Sequence, residues 1–112
     1  MPRSADKQVV VVLVTCPTRA VARRLSRELV RRHLAACVNV IGAVESTFFW
    51  KGSIERCQEA LLVIKTTTAA FKALQRRVLA LHPYDVPEVI ALPVTAGHKT
   101  YLRWVASSVA AP

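Results

Sequence analysis

The chain is poor in the patterns on which many specialised proteins depend. It has only three glycines among 112 residues, and it contains no glycine-rich phosphate loop, no GxSxG nucleophile motif and no paired CxxC or HxxxH spacing. The common nucleotide-hydrolase, α/β-hydrolase and zinc-finger signatures are therefore missing. No apolar run approaches the roughly 20 residues that span a membrane, because the run at 9–14 has six. These absences leave few positive arguments for an enzyme, and nothing requires an organic cofactor or a membrane.

Three cysteines, an odd number without paired spacing, favour a reducing compartment over a disulfide framework. Asp6 precedes the first apolar run and no small-residue cleavage site follows it, so the N-terminus does not resemble a signal peptide. We therefore expect a cytoplasmic protein. The length predicts one domain over 1–112, with flexible tails at 1–7 and 108–112.

The main local source of the net charge of +9 is a group of six arginines in one predicted helix: Arg19, Arg23, Arg24, Arg27, Arg31 and Arg32. Four of them, Arg19, Arg23, Arg27 and Arg31, repeat every four residues and would line one helix face. No aromatic side chains for base stacking are interleaved with them. We interpret this stripe as a solvated outer helix face and expect no specific binding of nucleic acid.

Hydrophobic periodicity predicts strands over 8–15, 36–50, 53–66 and 86–94, with Gly42 as a bulge and a turn at 51–52. It predicts helices from Thr18 to about 33, from Thr67 or Thr68 to Pro83, and over 98–107. The order βαββαβ with a short C-terminal helix indicates an α+β, ferredoxin-like sandwich: a four-stranded antiparallel sheet with two helices on one face. The other face is left bare by this count, and the 53% hydrophobic content suggests that it is buried in a closed homo-oligomer.

Six motifs in this order give the chain a specific resemblance to a known family: VTCPT (14–18), LAACVNVI (34–41), FWKGSIE (49–55), LLVIKT (61–66), HPYDVPEVIALPV (82–94) and YLRWV (101–105). Over roughly 10–105 the chain resembles the CutA family of divalent-cation tolerance proteins. The resemblance implies a soluble homotrimer linked to copper and other divalent metals. It also implies an architecture similar to the PII signalling proteins, which bind small effectors between subunits.

The resemblance points to Cys16, His82 and Glu88 as metal ligands. From the residues alone, Cys16 lies where a strand meets a helix N-terminus, which would favour its thiolate, and the loop carrying His82 and Glu88 feeds a strand expected beside the first. One thiol, one imidazole and one carboxylate suit copper or zinc. Simpler roles stay open: a small buried side chain for Cys16, a helix-terminal residue for His82, and an arginine partner across an interface for Glu88.

A second candidate site is a cleft lined by Lys65, Tyr84 and Trp50, in which the lysine would meet an anionic ligand. Cys57 lies in a polar stretch, and we expect it to be exposed and to react only adventitiously with soft metals. The leading hypothesis is a non-enzymatic, cytosolic homotrimer that binds divalent or soft metal ions, chiefly copper, and contributes to metal tolerance. The alternatives are a PII-like small-molecule sensor and a trimeric scaffold that anchors a protein partner not yet identified.

Overall fold

The computed structural model describes residues 8–110, which form four strands and three helices. The strands are β1 (Val9–Cys16), β2 (Cys37–Trp50), β3 (Ser53–Thr67) and β4 (Ile90–Pro93). The helices are α1 (Arg19–Arg31), α2 (Phe71–Leu81) and α3 (Lys99–Ser108). The tail expected at 1–7 lies outside the described residues. Of the other expected tail, Ser108 ends α3 and the Ala110 N–H donates a 2.9 Å hydrogen bond to the His33 carbonyl.

The strands form one antiparallel sheet in the order β2-β3-β1-β4. Each outer strand is reached from a central strand through a helix: α1 joins β1 to β2, and α2 joins β3 to β4. This is the arrangement of a ferredoxin-like α+β sandwich. The predicted fold class is confirmed. No helix within 8–110 is long and apolar enough to cross a membrane.

The core lies between the sheet and the first two helices because alternate strand residues point to the same face. Val12 and Val14 from β1, together with Leu62 and Ile64 from β3, are fully buried on that face. The helices contribute four further fully buried side chains: Leu25, Leu29, Leu74 and Val78. Each such side chain stabilises the fold by about 1.5–3 kcal/mol relative to exposure.

The two core helices begin differently. Thr18 caps α1 as predicted, because its Oγ1 accepts a 3.2 Å hydrogen bond from the Val21 N–H. The predicted threonine cap of α2 is wrong. Thr67 belongs to β3, the Thr68 hydroxyl donates to the Gln8 carbonyl at 3.1 Å, and Ala70 occupies the N-cap position.

The last strand is shorter than predicted, since 86–89 is not paired with β1. Pairing stops at Leu13 opposite Ile90. Two residues further along the same edge of β1, the Thr15 carbonyl accepts a hydrogen bond from the His82 ring instead. Pro87 also lacks the N–H that a ladder would need.

The second face of the sheet is not entirely bare, which corrects the prediction from element count. Helix α3 packs on β1 and β3, buries Val105 and brings Tyr101 beside Cys37. Cys37 belongs to this face because its neighbour Val38 packs into the core. Beyond the helix the face stays open, and Ile41, Ile90 and Leu92 on its strands are each about half exposed.

Strands β2 and β3 extend past the rest of the sheet as a long hairpin. Its turn, Lys51-Gly52, has φ values of +50° and +83°, which match a two-residue type I′ connection. A register shift between Ile41 and Val44 confirms the predicted bulge near Gly42. Since β1 pairs with β3 only over 60–67, the outer part of the hairpin has no neighbour on that side.

Candidate functional site

A cleft of about 800 Å³ lies on the open face of the sheet, between the hairpin and the loop at 83–88. The hairpin supplies Ser46, Phe48 and Trp50 from β2, and the loop closes the opposite side with Tyr84. After the bulge, the even-numbered residues of β2 lie opposite Glu55, Cys57 and Glu59 of β3. The bulge therefore decides which side chains line the cleft.

The cleft is strongly acidic within a basic protein. Four of the seven acidic residues of the chain line it: Glu55, Glu59, Asp85 and Glu88. Arg56 is the one basic residue in its lining. Carboxylates brought together in this way attract cations and repel anions. Carboxylate oxygens favour hard cations, and a thiol such as that of Cys57 adds an affinity for softer ones.

Glu59 is the most deeply buried of these carboxylates, with 8% of its surface exposed. Its Oε2 accepts a 2.8 Å hydrogen bond from the Tyr84 hydroxyl. Burial, followed by this bond and the glutamate charge, raises the pKa of Tyr84 above its usual range. The phenol is therefore a permanent donor at neutral pH, and it ties the loop to β3.

Sequence analysis did not identify Glu59 as a site residue. It stands at the head of the apolar run 60–64, where it resembles the polar start of a strand. The two-residue alternation of a strand could have identified it, because Glu59 lies on the same sheet face as Leu61 and Val63. Glu59 is therefore a carboxylate on a largely apolar surface.

His82 holds the loop in place through both ring nitrogens. Its Nε2 lies 2.7 Å from the Thr15 carbonyl oxygen, and its Nδ1 accepts a 3.1 Å hydrogen bond from the Tyr84 N–H. This pattern corresponds to a neutral imidazole protonated on Nε2. His82 is also the C-cap of α2, as the simpler interpretation expected. To bind a metal, either nitrogen would first have to give up its hydrogen bond.

Cys16 is fully buried in the core, and its environment opposes ionisation. Burial, followed by the charge of Glu59, raises the pKa of the thiol to about 11. The expectation that the start of α1 would favour the thiolate is therefore wrong, because loss of solvation outweighs the helix dipole here.

The three predicted metal ligands thus occupy three different environments. Cys16 lies in the core, His82 at the edge of β1 and Glu88, exposed, at the cleft. Within residues 8–110, no three His, Cys, Asp or Glu side chains are grouped closely enough to hold a metal ion. The ligand set remains a prediction.

The second predicted site is only partly assembled. Trp50 and Tyr84 line the acidic cleft, but Lys65 does not. The Lys65 ammonium instead bonds the Asn39 side chain and lies 3.9 Å from the Cys37 sulfur, under the end covered by α3. Cys57 is half-buried in the cleft, which corrects the expectation that it is exposed. The expectation rested on its polar neighbours, and Gln58 is indeed exposed, but Cys57 points to the opposite side of the strand, towards the cleft.

The arginine stripe on α1 lies where the pattern placed it. Arg19, Arg23 and Arg27 are exposed, and so is Arg31. Their position on the outer surface of the helix layer confirms a solvated face and separates them from the cleft.

Comparison with known proteins relates the sequence and fold of this chain to one family. Residues 10–108 match the sequence profile of the CutA1 divalent ion tolerance protein family. The chain is 50% identical over 95 residues to the divalent-cation tolerance protein CutA of Thermus thermophilus, covering 85% of this chain and 92% of that one. It is 44% identical to the chloroplastic CutA of Arabidopsis thaliana, over 88% of this chain and 54% of the longer plant protein.

A solved structure of the divalent cation tolerance protein (CutA1) from Thermus thermophilus aligns with a TM-score of 0.90 at 46% identity. The alignment covers 91% of this chain and 99% of that one. Fold, motif order and identity agree over nearly the whole described chain. The chain belongs to the CutA1 divalent ion tolerance family.

Proposed function

We propose that this protein binds divalent or soft metal ions, chiefly copper, in the acidic cleft and thereby contributes to metal tolerance. The observation that carries the proposal is the gathering of four of the seven acidic residues in one cleft of a chain whose net charge is +9. The rest of the chain carries a large excess of positive charge, so the cleft is the favoured place for cations. The names of the family and its relatives, which speak of divalent-ion tolerance, support the same conclusion.

Within the cleft, Glu88 is the predicted ligand whose position fits best, because it is exposed and lines the cavity. Glu59 and Cys57 add a carboxylate and a thiol on the sheet side. Copper accepts such a mixed set of oxygen and sulfur ligands. In this proposal Cys16 and His82 support the cleft without binding the metal directly. His82 holds the loop in place through its two hydrogen bonds, and Cys16 is buried in the core beneath it.

We further propose that the protein is a homotrimer whose subunits complete the metal site. The outer hairpin exposes Phe49 and Ile54 by more than 70% each, and β4 leaves a free strand edge with Ile90 and Leu92 half exposed. Exposed apolar side chains and open edges of this kind favour association. A second subunit packed along the hairpin would supply the ligands that one chain lacks.

The experiment is native mass spectrometry of the reduced protein, with Cu(I), Cu(II) and Zn(II) added separately. Glu88→Gln removes a cleft carboxylate, and Glu45→Gln is its matched control on the exposed part of β2, outside the cleft. We expect a trimer that gains metal, with an affinity lowered about tenfold by Glu88→Gln and unchanged by Glu45→Gln.

Cys57→Ser and Cys16→Ala separate the two sets of ligands. Loss of copper in Cys57→Ser alone assigns the thiol ligand to the cleft, whereas loss in Cys16→Ala alone would restore the ligand set expected from the sequence. A trimer that takes up none of the three ions would overturn the proposed function and leave the fold unaffected.

An enzymatic role is not proposed, since the family and the Thermus thermophilus relative are named for divalent-ion tolerance. A cytoplasmic location stays part of the proposal, although two plant relatives are named as chloroplastic and one archaeal relative as periplasmic. The sensor alternative required an anion near Lys65, and an acidic cleft without that lysine speaks against it. The scaffold alternative rests on the arginine face and stays a prediction.

A further inference from the structure

A second, smaller pocket lies in the helix layer, away from the acidic cleft. It has a volume of about 390 Å³, comparable to roughly a dozen water molecules. Its wall comes from one face of α2 and from the segment that follows α1: Arg32, Leu34, Ala73, Arg76, Arg77 and Ala80. The small side chains of Ala73 and Ala80 leave space between the three arginines, whose side chains border the pocket.

The pocket carries an excess of positive charge that the protein does not neutralise. Glu28 is the only acidic residue that pairs with these arginines among residues 8–110. Arg31 and Arg77 lie 2.9 Å and 2.8 Å from its oxygens, and Arg32 shares one of them. Arg31 lies outside the pocket lining, so the three pocket arginines face one carboxylate, which leaves a surplus of two positive charges.

Arg77 has a further unused donor. Its Nη2 bonds Glu28, but its Nε is buried and has no hydrogen-bond partner within the described chain. A buried donor without an acceptor costs stability, and native proteins keep few of them. The charge of the cluster also lowers the pKa of Glu28 to about 2, chiefly through hydrogen bonds from Arg32 and Arg77. Glu28 therefore stays ionised near neutral pH and keeps its ion pairs with the arginines.

We infer that this pocket is a binding site for a compact polyanion, namely a di- or triphosphate group. Guanidinium groups bind phosphate oxygens in bidentate fashion, and three of them around one hollow match a chain of phosphates. The surplus of two positive charges favours a multiply charged ligand over a single carboxylate. The absence of aromatic side chains from the pocket lining distinguishes the site from one that stacks nucleic-acid bases.

This inference does not depend on the proposed metal function, because none of the residues of the helix-layer pocket lines the acidic cleft. The two sites also select ligands of opposite charge. Metal binding and phosphate binding can therefore fail independently in the experiments.

The test is isothermal titration of the metal-free protein with inorganic triphosphate at about 0.15 M salt, where diffuse surface attraction is screened. Arg76→Gln removes a pocket charge that makes no ion pair among the described residues, so it should leave the fold intact. Arg23→Gln removes the same charge from the exposed face of α1, outside the pocket. We expect saturable binding that Arg76→Gln weakens about tenfold or more and Arg23→Gln leaves unchanged.

Parallel titrations with pyrophosphate and ATP identify the source of the phosphates. Equal affinity for triphosphate and ATP supports a site that recognises the phosphate chain alone, and tighter ATP binding supports a nucleotide. Equal weakening by both arginine variants would overturn the inference, because it would reduce the site to general surface charge. So would sulfate binding as tightly as triphosphate, or an absence of saturable binding.

Discussion

The hydrogen bond between Tyr84 and Glu59 provides the sharpest test of how the cleft is held together. Tyr84→Phe removes only the hydroxyl, and the ring keeps its place 4.8 Å from that of His82. The lost bond is 2.8 Å long and ends on a carboxylate of which 8% is exposed. Since a hydrogen bond to a charged group contributes about 1.5–3 kcal/mol, we expect the free energy of unfolding to fall by about 2 kcal/mol.

Urea unfolding at one fixed protein concentration measures this loss, because association would make stability depend on concentration. Tyr101→Phe is the matched control: this tyrosine is 39% exposed, and its neighbour Cys37 offers only a weak acceptor. Adding Glu59→Gln completes a double-mutant cycle. The coupling between the two positions should be about 1–2 kcal/mol. A coupling near zero, or equal effects of the two tyrosine variants, would refute the role assigned to this bond.

The same pair predicts a dependence on alkaline pH. The pKa of Tyr84 in the folded protein is raised above its ordinary value of 10.0. Its contribution to stability is therefore fully present below pH 10 and is lost as the pH rises towards the folded pKa. Wild-type protein should lose stability over this range more steeply than Tyr84→Phe.

Three further predictions concern other parts of the molecule. Cys16 is buried with a pKa of about 11, so iodoacetamide at mildly alkaline pH should label the half-buried Cys37 and Cys57 before Cys16; peptide mass spectrometry would contradict this if Cys16 reacted first. The pKa of Glu28 is lowered from 4.5 to about 2, so the stability it provides is present above pH 4.5 and is lost as the pH falls through 2; acid unfolding of Glu28→Gln should lack this component. Gly52 has a φ of +83° with open space around it, so Gly52→Ala should cost about 1 kcal/mol of stability through backbone strain alone, and an unchanged urea midpoint would contradict this.

Most of the fold could be predicted because it follows from local periodicities. The two-residue alternation around Val12 and the four-residue repeat of Leu25 and Leu29 each identify one buried face. Gly52 marks the hairpin turn, because glycine adopts the positive φ of a two-residue connection without steric cost. The short β4 escaped prediction since its length is set by His82, which occupies the β1 edge that more of the strand would have needed.

The candidate site was less predictable because it depends on contacts between distant segments. Tyr84 and Glu59 are 25 residues apart, and nothing local in either segment indicates their hydrogen bond. Cys16 illustrates the same difficulty: the adjacent helix start indicated a low pKa, but burial and the charge of Glu59 on a neighbouring strand reverse the direction. The position of Lys65 outside the cleft follows from the pairing register of β3, which no local pattern specifies.

The bulge in β2 changes which side chains of the strand lie on the open face of the sheet: odd-numbered residues before it and even-numbered residues after it. One surplus residue between Ile41 and Val44 gives the cleft the set that includes Ser46, Phe48 and Trp50. A strand that ran on from Ile41 without the bulge, and with no residue removed, would instead place Glu45, Thr47 and Phe49 on that side. Deleting Ala43 would remove the surplus residue and leave Val44 opposite Glu59, whereas a deletion after Val44 would move the residues beyond it to the opposite face in one evolutionary step.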